Sequence, residues 1–256
     1  LGQLLNMVAP FTYSTRGQAK VPLTIRAIVG RGWGQGWQHS KSLHSVFAHI
    51  PGLKVVAPTR ARDAKGLLTA AIRDDNPVLV IEHRWLYWAE DEVPEEPYAL
   101  PIGPGAILRE GRDLTIIATS WMNVEALKAA ECLARVGVSV EVLDPRTLAP
   151  LDDALLTRSV WKTRRCLVAD NDWLDGGFGA EVAARISEKC FEALKGPVRR
   201  VGWAPTPCPT VRCLESAFYP NAETLIRVAE GMLDLPPMDL TYDDFYSHER
   251  RFKGPF

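Results

Sequence analysis

A histidine at position 39 stands directly after GRGWGQGWQ, a run in which glycine occupies positions 30, 32, 34 and 36. Glycine lets a backbone bend close to a ligand or another chain, where a Cβ would obstruct it. Imidazole trades a proton near neutral pH and stabilises developing negative charge, which makes His39 the first candidate for acid–base work. The competing reading of the same residue is a histidine at a helix start, satisfied by backbone groups. His44 and His49 lie on the helix expected after it, at spacings that do not keep all three on one face, and read as structural. The carboxylates of AEDEVPEE sit in a proline-rich stretch and read as solvated, not as metal ligands. DGGFGAE has the look of an anion-binding helix start but lacks the lysine and spacing of a phosphate loop, so packing is the better reading. Trp33, Trp37, Trp85 and Trp88 could line an interface or a route for substrate.

The elements that must position His39 alternate. VPLTIRAIV at 21–29 lacks polar alternation and reads as a strand buried on both faces. Leu43, Val46, Phe47 and Ile50 recur at helical spacing and mark the buried face of a helix that Pro51 and Gly52 end. KVVAP is a second strand, and Thr59 offers an N-cap to a helix with apolar positions at Ala64, Leu67, Leu68, Ala71 and Ile72. PVLVIEH is a third strand, so a parallel sheet follows, with His39 pointing into the crevice at its carboxyl ends. Residues 85–105 read as a linker. A second alternation runs from LTIIATS to a last helix at Asn221–Leu233, and the tail 236–256 is expected to wrap a neighbouring surface or be disordered. The reading is α/β: two doubly wound, mainly parallel-sheet domains at 1–84 and 106–235, the first truncated at its N-terminus.

Composition narrows the classes. The chain has 256 residues, enough to bury a sizeable core, and its net charge of −1 offers no basic face for nucleic acid. No apolar run suits a membrane span and no signal peptide opens the chain, so cytoplasmic residence is the default. The five cysteines lack C-x-x-C spacing and are expected to be reduced, without zinc or disulfides. LGQLLNMVAPFTY begins like the middle of a helix, without a cap, and an upstream segment is expected.

QHSKSLHSVFAHIPGLKVVAP, continued by DAKGLLTAAIRDDNPVLVIEHRWLY, closely resembles the β subunit of thiamine-diphosphate-dependent 2-oxo acid dehydrogenases, of the pyruvate dehydrogenase type. A weaker version of the pattern occurs in transketolases. The resemblance implies a pyrimidine-binding domain followed by a transketolase C-terminal-like domain, and places His39 beside the reactive carbon of thiamine diphosphate. It implies a structural potassium ion held at Leu23, Ala71, Ile72, Asp74 and Asn76. It also implies an α-type subunit holding the diphosphate and its magnesium, a heterotetrameric assembly, and a lipoyl acyltransferase as acceptor. The family's activating glutamate matches no residue here, so the chain is expected to be inert alone and to need a polypeptide supplying the N-terminal part. Nucleic acid and membrane are not expected partners. The alternatives are a transketolase-like subunit acting on a sugar, acetoin or a biosynthetic precursor, and a noncatalytic assembly module. Lys41 stands where the relatives more often have glutamine.

Overall fold

The computed structural model describes residues 1–30 and 35–245; Gly32, Trp33 and Gly34 of the glycine run lie outside them. Three strands build the first sheet as expected: β1 (Thr24–Val29), β2 (Lys54–Val56) and β3 (Val78–His83), all parallel, with β3 in the middle. The second sheet takes β4 (Ala106–Arg109), β5 (Leu114–Ala118), β6 (Val140–Asp144), β8 (Cys166–Trp173) and β9 (Arg199–Trp203), in the order β4-β6-β5-β8-β9, and only β4 runs antiparallel. β7 (Thr147–Ala149) leaves its own half of the chain and pairs antiparallel with β2, Val55 opposite Ala149.

The helices are α1 (Phe11–Ser14), α2 (Gly36–His39), α3 (His44–Ala48), α4 (Ala61–Ile72), α5 (Met122–Ala134), α6 (Asp153–Thr163), α7 (Phe178–Cys190), α8 (Arg212–Phe218) and α9 (Ala222–Leu233). A π-helical turn at Leu4–Val8 and a 3₁₀ turn at Arg84–Trp88 complete the described set. The last helix begins as its sequence suggests, with the Asn221 side chain accepting from Thr224 N–H at 3.2 Å. No described helix is long and apolar enough to cross a membrane.

Both sheets share one core. Val55, Leu79 and Ile81 from the first pack with Ile117, Leu143 and Val168 from the second, and with Leu156 of α6 and Phe178 of α7. Three expectations fail here for one reason, that burial depends on distant neighbours. β1 is not buried on both faces: it is the sheet's edge, and Ile28 is 57% exposed. Thr59 does not cap α4, whose N-cap is Arg60 without a side-chain bond. Its hydroxyl instead donates to Ser120 O at 3.2 Å and accepts from Asn123 Nδ2 at 2.8 Å, bridging the two halves. Ile72, counted among the apolar positions of α4, is exposed because that helix buries Gly66, Leu67 and Ala71 instead.

The stretch between the sheets lies on α4: Leu100 N–H donates to Gly66 O at 3.0 Å, and a Cβ on Gly66 would stand 2.5 Å from Leu100 Cγ. Of the tail, Leu240 and Phe245 are buried in the second domain's core, and Arg135 pairs with Asp243 at 2.8 Å. Its first ten residues therefore fold back on their own chain, while 246–256 lie outside the described residues. β6 ends on Asp144, which is fully buried: Oδ1 accepts from Arg146 N–H at 2.9 Å and Oδ2 accepts nothing.

Candidate functional site

The segment from Gly36 to His44 runs from the carboxyl end of the first sheet to the carboxyl end of β8. One amphipathic helix over 43–50 is not what forms. α2 and α3 are separate short helices, and between them burial alternates: His39 exposed, Ser40 buried, Lys41 half-buried, Ser42 buried, Leu43 exposed, His44 buried. Leu43, expected on a buried face, is 39% exposed. The cause is a row of polar contacts with the second domain, which pulls every other residue inward. Ser40 O accepts from the Tyr219 hydroxyl at 2.9 Å and from Cys208 Sγ at 3.7 Å. Ser42 Oγ accepts from Asn171 Nδ2 at 3.3 Å, and His44 Nε2 meets Asp170 Oδ1 at 3.0 Å.

That row leaves His39 exposed, its side chain making no hydrogen bond or ion pair with any described residue. Its neighbours are held while it is not. Trp203, fully buried, packs edge-on against Tyr219 with ring centres 5.3 Å apart and supports the Ser40 anchor. Trp37, Lys41, Trp173 and Cys208 line a cleft of about 410 Å³ beside the segment.

Behind the glycine run, Gly30 has φ +86°, and a Cβ there would stand 2.2 Å from His83 Nε2. The His83 ring cannot retreat, since it stacks on Trp121 with centres 5.7 Å apart. Replacing Gly30 by alanine should therefore destabilise the protein by about 2 kcal/mol or more, from left-handed strain together with the clash. Urea unfolding of the variant checks this, and an unshifted midpoint would remove the close-approach argument.

The remaining candidates sort clearly. His49 Nδ1 meets Ser45 O at 2.9 Å within its own turn, and the acidic run 89–96 is exposed throughout. The tryptophans split: Trp85 is buried against Trp121, whereas Trp37 and Trp88 are exposed. All five cysteines are free thiols, four of them buried. The DGGFGAE turn starts α7 and donates Gly179 N–H to Asp170 Oδ2 at 2.8 Å. At the other end of the first sheet, Leu23, Ala71, Ile72, Asp74 and Asn76 surround the C-terminus of α4. There Asn76 N–H donates to Asp74 Oδ1 at 2.9 Å and Lys54 Nζ meets Asp74 Oδ2 at 2.5 Å. Burial opposes ionisation of Asp74, but the lysine outweighs it and holds the carboxyl below its usual pKa.

Asp170 and Asp172 were not singled out in the sequence. Their signal was present: in VADNDW the strand's apolar run passes straight into carboxylates that stay buried. Burial works against charge on His44, yet Asp170 outweighs it and lifts the imidazole pKa above its ordinary value. The same contact lowers the Asp170 pKa against its own burial, while burial raises that of Asp172.

Profiles of two families match this chain: the transketolase pyrimidine binding domain over residues 5–88, and the transketolase C-terminal domain over 103–225. The acetoin:2,6-dichlorophenolindophenol oxidoreductase subunit β of Bacillus subtilis (strain 168) is 38% identical over 93% of this chain and 69% of its own length. The chain belongs to the β-subunit family of thiamine-diphosphate-dependent 2-oxo acid dehydrogenases. Among other β subunits, that of pyruvate dehydrogenase from Oryza sativa subsp. japonica (E1 component subunit beta-2, mitochondrial) is 40% identical over 90% of this chain and 62% of its own length. The 2-oxoisovalerate dehydrogenase subunit beta 2 of Arabidopsis thaliana is 42% identical over 88% and 63%. This β subunit thus spans between 62% and 69% of the length of these relatives. Its fold matches a solved chain described as a split gene transketolase, inactive beta4 tetramer. The TM-score is 0.70, with 24% identity over 92% of this chain and 71% of that one.

Proposed function

We propose that this β subunit supplies the imidazole of His39 to a thiamine-diphosphate site of which it forms one wall. The assembly would decarboxylate a 2-oxo acid and pass the acyl group to a lipoyl carrier. The observation that carries the reading is the contrast along 39–44: three anchors fix the backbone to the second domain, and the one imidazole left exposed at the sheet ends has no partner among the described residues. Bound thiamine diphosphate supplies the nucleophilic carbon and the electron sink. His39 is free to donate or accept a proton at the substrate oxygen beside it.

The chain's residues fit the cofactor only in part. No residue of this sequence takes the role of the activating glutamate, so that contact is assigned to polypeptide outside these residues, and the diphosphate and magnesium to an α-type subunit. The outer edge of β1 has no strand partner among the described residues and is where that polypeptide would pair. The relatives named for acetoin keep a second reading open within the same chemistry, cleavage of a bond beside a carbonyl.

The test is reconstitution with an α-type chain and a longer β-type polypeptide. Calorimetry should show thiamine diphosphate binding only in the mixture, and assays with pyruvate, branched 2-oxo acids and acetoin should then identify the substrate. A mixture that assembles but binds no cofactor would leave the noncatalytic module as the better account.

The α4 terminus is proposed as the potassium site. The oxygens of Leu23, Ala71, Ile72, Asp74 and Asn76 suit a hard monovalent cation, although Lys54 already shares Asp74. Potassium chloride should raise the unfolding temperature above that in lithium chloride at equal ionic strength, and Asp74→Ala should abolish the difference. Equal midpoints in the two salts would leave the lysine as the only cation there.

A further inference from the structure

Three donor atoms from the two halves of the chain converge at their seam. His44 Nε2, Asp170 and Asp172 carboxylate oxygens all lie within 4.8 Å of one another, and every one of the three residues is buried. His44 Nε2 stands 3.0 Å from Asp170 Oδ1 and 3.9 Å from Asp172 Oδ2. Asp170 is well provided for, since it also accepts from the Thr119 hydroxyl at 2.5 Å and from Gly179 N–H. Asp172 is not. Its Oδ1 accepts from Trp173 N–H at 2.8 Å and the Ser45 hydroxyl helps to hold the carboxylate, but Oδ2 lacks a well-formed hydrogen bond in a residue only 2% exposed.

Charge points the same way as geometry. Two buried carboxylates face a single imidazole, and the only cationic partner found for either among the described residues is His44 itself. A buried carboxylate oxygen whose nearest cationic group is an imidazole 3.9 Å away is held at a cost, which a directly bound cation removes. We propose that His44, Asp170 and Asp172 form a divalent-cation site, of the nitrogen and oxygen donor type that suits Zn²⁺. Bonds of about 2.0 to 2.2 Å place the donors of one such ion about 3 to 4 Å apart, and the two distances from His44 bracket that range. A neutral imidazole with two carboxylates balances a charge of +2. Ser45 and Phe178 flank the cluster and also line a cleft of about 840 Å³ at the seam, which gives an ion a way in. The Phe178 ring stands edge-on to His44 with centres 6.1 Å apart.

Such an ion would tie α3 of the first domain to β8 of the second, so its signature is retention and stability, not turnover. The protein is stripped with a chelator, given ZnCl₂, passed through a desalting column and assayed for metal per chain and for unfolding temperature. One zinc per chain and a rise of about 5 °C or more are expected. Co²⁺ in its place should give visible absorption bands. Both should be lost in His44→Ala and in Asp172→Asn. The second variant secures the test, because the asparagine side chain can still accept from Trp173 N–H and the change leaves the His44–Asp170 contact at 3.0 Å in place, giving up only the 3.9 Å charge contact with His44. No stoichiometric zinc in the wild type, or zinc retained unchanged in both variants, would overturn the assignment and leave a hydrogen-bonded clamp.

Discussion

In the reconstituted enzyme, replacing His39 by alanine should lower kcat by about 10²- to 10⁴-fold, the range associated with losing one positioned acid or base. Folding should be unaffected, because the side chain is exposed and makes no hydrogen bond or ion pair with described residues. That separation makes the experiment decisive. A buried or bonded residue loses activity by disturbing its surroundings, whereas His39 has no bonded partner among the described residues to disturb. The anchors at Ser40, Ser42 and His44 stay in place in the variant, so the segment keeps its course. Assembly and thiamine diphosphate affinity serve as controls and should match the wild type. Turnover within a factor of a few of the wild type would strip His39 of its chemical role.

Asp144 should make stability fall as pH rises. Burial pushes its carboxyl up to about 7 from 3.8, opposed by the Thr59 hydroxyl and Arg146 and aided by the Asp63 charge. Folded and unfolded chains thus differ between about pH 4 and pH 7, where the folded state binds the extra proton. A raised pKa contributes stability that is complete below the unfolded value and lost as pH climbs through the folded one. A shift of this size corresponds to a loss on the order of 4 kcal/mol by pH 8. An asparagine side chain cannot ionise, so Asp144→Asn should match the wild type near pH 4 and surpass it increasingly up to pH 8. Urea midpoints measured across that range provide the check, and parallel profiles for the two proteins would mean that Asp144 does not titrate where its burial says.

Much of the architecture was legible because it is local. The runs PVLVIEH, LTIIATS and VSVEVLD announce β3, β5 and β6 as strands, and nearly all residues of those strands are buried. Asn221 announces α9 through chemistry confined to one turn. Where the reading failed, the cause lies far along the chain. Leu43 points outward because Ser42 and His44 are held by Asn171 and Asp170, well over a hundred residues away. The edge position of β1 is set by which strand stands beside it, and no property of VPLTIRAIV encodes that. Thr59 has the right chemistry for a cap and spends it on Ser120 and Asn123. For the candidate site, the glycine run and His39 stand out in the sequence itself, whereas the carboxylates opposite His44 emerge only once β8 is laid against α3.

The β7 segment has a consequence for how the molecule comes apart. Thr147–Ala149 is borrowed by the first sheet, Leu148 enters the common interior, and Arg146 reaches Asp63 at 3.1 Å. A protease that nicks the exposed acidic stretch at 89–96 should therefore yield two pieces that remain together until denaturant is added. Heating should melt both halves in one transition, and neither half expressed by itself would retain the other's contribution to its interior.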